Sequence, residues 1–112
     1  MSNENQKTPE NLSPEQQQQL LFVMLIQQHQ QIAMMGMGKI KNPQTDKVER
    51  DLSSAKFAID TLNMLQAYTK GNLPKEVTDY LEQTLTTLRL NYADEKKKGS
   101  GKSESADKSE EN

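Results

Sequence analysis

The chain contains no cysteine and no tryptophan. Without cysteine there can be no disulfide, no thiolate metal site and no thiol nucleophile, and a reducing compartment is the natural setting. Apolar residues are scarce at 32%, and 27% of the chain is charged. Part of the 112 residues is therefore expected to lie outside any core. Long apolar runs are missing too. The longest, Leu20 to Ile26, is seven residues, against the roughly 20 that a bilayer core demands. No cationic start followed by an apolar stretch opens the chain, so no signal peptide is expected. Neither sign of charge dominates: the net charge is -2 and the pI about 5.4. No global basic field draws the chain to nucleic acid or anionic lipid. These absences together lead us to expect a cytoplasmic protein that neither crosses nor binds a membrane and does not bind nucleic acid.

What is present is helical patterning between two polar ends. Residues 1–12 and 95–112 have no apolar period and read as disordered tails, because they bury too little surface to offset the entropy of ordering. Residues 13–94 read as one helical domain. A first helix is predicted from Ser13, with Pro14 at the first helical position and Gln16 completing a capping box, to about Met35, where Gly36 and Gly38 stop it. Its middle, Leu20 to Ile26, is apolar all the way round, as in a helix covered on every side. Lys39 to Arg50 reads as an ordered connector, turning at Asn42-Pro43 and pinned to the core by Ile40 and Val48.

A second helix is predicted from a cap at Asp51 to Lys70, with Gly71 in the left-handed conformation. Leu52, Ala55, Ile59, Leu62 and Leu65 form one apolar stripe, while Phe57, Met64 and Tyr68 form another roughly across the helix. Two such faces call for a partner on each side. A third helix, from near Pro74 to about Asp94, carries the single stripe Val77, Leu81, Leu85, Leu88 and Tyr92 and belongs on the outside.

The fold class expected is all-α: a three-helix bundle with an ordered connector. A core of this size is marginal on its own. If the second helix lies between the other two, the first still shows apolar side chains outward, each forfeiting roughly 1.5–3 kcal/mol in water. Twofold packing of the first helix against its copy removes that cost. Leu21, Phe22, Leu25, Ile26, His29 and Ile32 are the residues expected at this homodimer interface.

From Met37 to Tyr92 the chain resembles a known family, on Gly38-Lys39-Ile40, Asn42-Pro43-Gln44-Thr45, Asp51-Leu52 with Ala55, Ile59-Asp60 with Leu62, Thr69-Lys70-Gly71-Asn72-Leu73, and Leu88-Arg89 with Tyr92. It is similar to the small, mostly bacterial proteins catalogued as domain of unknown function 1844. Lys41, Asp46 and Lys47 stand where that pattern usually has a proline, a glycine and an acidic residue, and Tyr68 replaces a usual lysine. The resemblance implies a small helical domain and supplies no activity, ligand or catalytic residue.

Few residues invite chemistry. His29, the only histidine, lies on an apolar face and reads as a buried or interface polar group, with a pH switch at a dimer interface as the functional alternative. Asp60 and Arg89 are expected to form a structural ion pair between the second and third helices. Glu49 and Asp51 flank a helix start, where acids are favoured by the exposed amides. The methionines read as core filling, or as an adaptable groove for a partner helix. Lys96, Lys97 and Lys98 sit in an acid-balanced tail. No phosphate loop, nucleophile–base pair or metal-ligand spacing is visible, so no catalytic residue, metal or cofactor is expected. The reading is a protein–protein interaction module that forms a homodimer, or binds another cytosolic protein, without catalysis. The alternative is an RNA- or ribosome-associated accessory protein, whose basic surface would have to come from Lys39, Lys41, Lys47, Arg50 and Lys56.

Overall fold

The computed structural model describes residues 11–99. These form three helices, α1 (Pro14–Gly36), α2 (Leu52–Tyr68) and α3 (Lys75–Gly99), with no strand among the described residues. The chain is all-α, as its periodicity predicts.

The helix starts follow from local chemistry. At α1 the Ser13 hydroxyl accepts from the Gln16 amide at 3.1 Å, and the Gln16 side chain accepts from the Ser13 amide at 3.0 Å. This reciprocal box satisfies two amides that a helix start leaves orphaned. At α2 the Asp51 carboxylate accepts from the Ser53 and Ser54 amides and from both hydroxyls, at 2.8 and 2.9 Å. Those bonds hold its carboxyl below the usual carboxylate range, the hydroxyls of Ser53 and Ser54 contributing most. α2 stops at Tyr68, two residues before the predicted Lys70, although Gly71 does take up the left-handed conformation, with φ at 83°.

α1 and α2 form an antiparallel hairpin. The Asp51 amide donates to the Gly36 carbonyl at 2.8 Å, bringing the end of α1 against the start of α2. At the opposite end Phe22 shares a groove with Asn72, Leu73 and Val77. α3 lies across the hairpin and closes the core. Ile26, Ala33 and Met37 meet Leu52, Ala55, Ala58, Ile59 and Leu62 from α2 and Val77, Leu81, Leu85 and Leu88 from α3, all of them buried.

Three expectations are corrected here. Ile40 and Val48 do not pin the connector, since both are exposed; Met37 before it and Leu52 after it are the buried anchors. The connector is ordered instead by polar bonds. The Asn42 side chain accepts from the Gln44 amide at 2.8 Å, and Asn42 and Thr45 both donate to Glu49, at 3.1 and 2.9 Å. The second correction concerns α2, which is not sandwiched: α1 and α3 both pack on its Leu52–Leu62 side, and Phe57 and Tyr68 are left 72% and 80% exposed.

The third correction is to the C-terminal tail assigned from residue 95. Residues 95–99 continue α3. Glu95 is buried there, with its carboxylate 3.1 Å from Lys39 Nζ, 3.4 Å from Arg50 Nε and 3.1 Å from Lys98 Nζ. Arg50 also donates to the Glu95 carbonyl at 2.8 Å. A carboxylate with three cationic partners replaces its lost hydration, which a lone buried charge could not. Burial pushes the Glu95 carboxyl up, but hydrogen bonds from Lys39 and Lys98 outweigh it, and the net shift is downward. The remaining parts of both assigned tails, residues 1–10 and 100–112, lie outside the described residues.

Candidate association surface

The six residues predicted for an interface on α1 divide into two groups. Ile26 is fully buried in the protein's own core, so it is not available to a partner, and Phe22 packs against that core. The cause is angular. Ile26 shares its row with Ala33 and Met37, the side of α1 that faces both other helices. Leu21 is 64% exposed and Ile32 is exposed as well, with Leu25 half-buried between them. The outward row is therefore Leu21, Leu25, Gln28, Ile32 and Met35, spaced by four, three, four and three residues. That alternation is the seam pattern of helices that pack against a further helix.

His29 lies beside this row and is half-buried. Its Nδ1 is 3.0 Å from the Leu25 carbonyl oxygen, which can only accept, so Nδ1 carries the proton and donates. One of the two ring nitrogens is thus partnered within its own helix.

Asp60 and Arg89 are not paired with each other. Asp60 accepts from Lys56 one turn earlier on α2, at 2.7 Å, while Arg89 donates to the Asn63 side chain. Both border one shallow depression on the α2–α3 seam, with Ile59 and Tyr92. The sequence placed them on facing helices correctly. It could not show that Lys56, four residues from Asp60, is the nearer cation.

A second exposed apolar row runs along α2 through Phe57, Met64 and Tyr68. The residues were legible as a stripe, but their exposure was not, because it depends on α1 and α3 sharing the opposite side. The two rows adjoin. Ile32 and Met35 line one depression with Asp51 and Ser54 of α2, and Ser54, Thr61 and Tyr68 follow at intervals of seven on one side of that helix. Among the described residues, no group of three or more His, Asp or Glu side chains gathers as a metal site would. A cavity of about 540 Å³ opens between the end of α2 and the start of α3, and its titratable lining consists of Lys70 and Glu82.

A family model described as a domain of unknown function (DUF1844) matches residues 19–94. The chain belongs to the DUF1844 family. The match takes in most of α1, all of the connector and α2, and α3 as far as Asp94. The DUF1844 region thus begins eighteen residues before the Met37 at which the resemblance is first readable, and it includes the whole outward row of α1. No curated protein and no solved structure gives a significant match to the chain. Among the described residues, no helix is long and apolar enough to cross a membrane.

Proposed function

We propose that this DUF1844 chain is a non-catalytic protein-interaction module of the cytosol that forms a homodimer through the outer face of α1. The observation that carries the reading is the character of that face. From Gln16 to Gly38 there is no Asp, Glu, Lys or Arg, in a chain that is 27% charged. A solvated helix face ordinarily carries charge, whereas the centre of a protein interface is depleted of it. Leu21 and Ile32 stand in water in the single chain, at roughly 1.5–3 kcal/mol for each side chain a partner could cover. A second copy offers the same uncharged face and brings no like charges together.

The test is the mass of the full chain by light scattering, beside Leu21→Asp and Ile32→Asp variants checked for helicity. The reading expects a dimeric wild type and folded, monomeric variants. A wild type that stays monomeric at tens of micromolar overturns it. Ile26→Asp is unsuitable as a probe, since it would unfold the core.

One observation favours a second reading, contact with RNA. The extension of α3 brings Lys96, Lys97 and Lys98 to the end of the molecule that already holds Lys39 and Arg50. Glu95, Asp94 and Asp46 offset part of that charge. Binding to bulk RNA that weakens steeply with salt would support this reading, and binding that is absent at 50 mM salt would exclude it.

A further inference from the structure

The association surface contains two rows rather than one, and both have their midpoints at the same height. In α1 the row from Leu21 to Met35 is centred on Gln28, its one polar member. In α2 the row from Phe57 to Tyr68 is centred between Leu62 and Asn63. The hairpin fixes how these centres align. Gly36 lies against Ala55, so close that a methyl on Gly36 would fall 3.0 Å from the Ala55 Cβ. Eight residues back from Gly36 is Gln28, and eight residues on from Ala55 is Asn63. At 1.5 Å per residue both lie about 12 Å from that contact. A line drawn across the hairpin at right angles to its helices passes through both midpoints.

From this alignment we infer that two copies join face to face as an antiparallel four-helix bundle, α1 on α1 and α2 on α2, with the twofold axis passing by Gln28 and crossing α2 at the height of Asn63. The inference rests on the self-association proposed above and adds α2 to it. A twofold axis along that line maps each row onto itself reversed. Leu21 then meets Met35 of the second copy, Leu25 lies near Ile32, and Gln28 meets Gln28. The polar side chain faces its own copy, where two amides can donate to and accept from each other, and register is set as a buried polar residue sets it in helical bundles. α3 stays outside, because its contacts with α2 run along the opposite seam, through Ile59, Asn63, Arg89 and Tyr92.

The area is sufficient. Leu21, Met24, Ile32, Phe57, Met64 and Tyr68 are between 39% and 80% exposed. Taking roughly 200 Å² for a whole large side chain, they offer about 700 Å² per copy. With Leu25, Gln28 and Thr61 between them this reaches the ~800 Å² per partner of a stable interface. The exposed apolar side chains of α1, Leu21, Met24 and Ile32, supply only about 300 Å² of that. Charge does not oppose the union, because Lys56 and Asp60 sit at the edge of α2 nearer α3 and neutralise each other at 2.7 Å.

Two experiments on the full chain test the arrangement. The first compares dimer dissociation of the wild type with a Phe57→Ser/Tyr68→Ser variant by sedimentation. Both side chains are exposed, so the fold should survive, and circular dichroism confirms it. A loss of about tenfold or more in dimer affinity is expected. A dimer of unchanged affinity overturns the two-row face and leaves dimerisation through α1 standing, while a monomeric wild type removes the self-association itself and assigns the face to a different protein.

The second uses the absence of cysteine. Single variants Gln28→Cys, Leu21→Cys and Met35→Cys are oxidised gently. Gln28→Cys should give a disulfide-linked dimer, and Leu21→Cys should not, because those two sites lie about 21 Å apart in the antiparallel dimer. Leu21→Cys mixed with Met35→Cys should link. Leu21→Cys linking to itself would mean parallel packing, and failure of all α1 pairs in a dimeric protein would place α1 against α2 of the second copy. Either result overturns the arrangement.

Discussion

A methyl group on residue 36 would lie 2.7 Å from the Asp51 carbonyl oxygen and 2.9 Å from the Ala55 amide nitrogen. Both neighbours are backbone and cannot swing aside. Gly36 is therefore required by close approach of the chain, where α1 delivers its end to the start of α2. Gly36→Ala should destabilise the protein by about 1–3 kcal/mol, as overpacking does, and lower Tm by several degrees in a thermal melt. The opposite change is expected at Asp46, the only described non-glycine residue with positive φ, at 60°. The DUF1844 pattern usually has glycine there, and the conformation supplies the reason: the left-handed region costs an L-residue roughly 1 kcal/mol or more, and glycine nothing. Its one ion pair, with Lys41 at 4.0 Å, is too exposed to contribute much. Asp46→Gly should raise Tm by a few degrees, and a lower Tm would show that the Asp46 side chain does more than its contacts indicate.

Among the elements, α3 shows where sequence reading works and where it stops. Its start, its stripe and its outer position follow from the spacing of Val77, Leu81, Leu85 and Leu88, because a helical period is a local signal. Its last turn was invisible for the opposite reason. Glu95-Lys96-Lys97-Lys98 has the composition of a solvated tail, and what holds it in the fold is Lys39 and Arg50, more than forty residues away along the chain. α1 was similarly half-legible. Its apolar girdle announced burial on all sides, but only the packing distinguishes Ile26, which the protein covers itself, from Leu21, which it does not.

The Glu95 anchor gives this element a pH signature. With the carboxyl held below its ordinary value of 4.5, its contribution is fully present above the ordinary glutamate range and is lost as pH falls through the lowered folded value. Lys39, Arg50 and Lys98 then face an uncharged group. Glu95→Gln should cost about 1–2 kcal/mol at pH 7, the cations being partly solvated. In acid, once the pH has fallen through the lowered folded value, the gap between variant and wild type should close. Urea melts at neutral and acid pH check this, and a gap that persists in acid would show the packing of the side chain, not its charge, to be what matters.

At the scale of the molecule, the single chain is a thin bundle that covers one side of each helix. Its core of twelve buried apolar side chains closes around the meeting of all three helices, while the far side of the α1–α2 hairpin keeps Leu21, Phe57 and Tyr68 in water. A monomer gains nothing from such a face and risks aggregation through it. In a dimer the same side chains form a second core, so folding and association are coupled. That coupling has a thermodynamic consequence independent of any substitution. If two copies of about 85 ordered residues unfold together, at ~0.7 kcal/mol per residue, the transition absorbs roughly 120 kcal/mol per dimer. Mass action then raises Tm with protein concentration, by about 4 °C for each tenfold increase. Melts at about 5, 50 and 500 µM should therefore shift upward in two nearly equal steps. A Leu21→Asp variant, folded but unable to pair, should melt lower and at one temperature throughout. A wild type whose Tm ignores concentration would mean that the hairpin face adds nothing to stability in the isolated protein, and that its apolar rows are kept for a different chain.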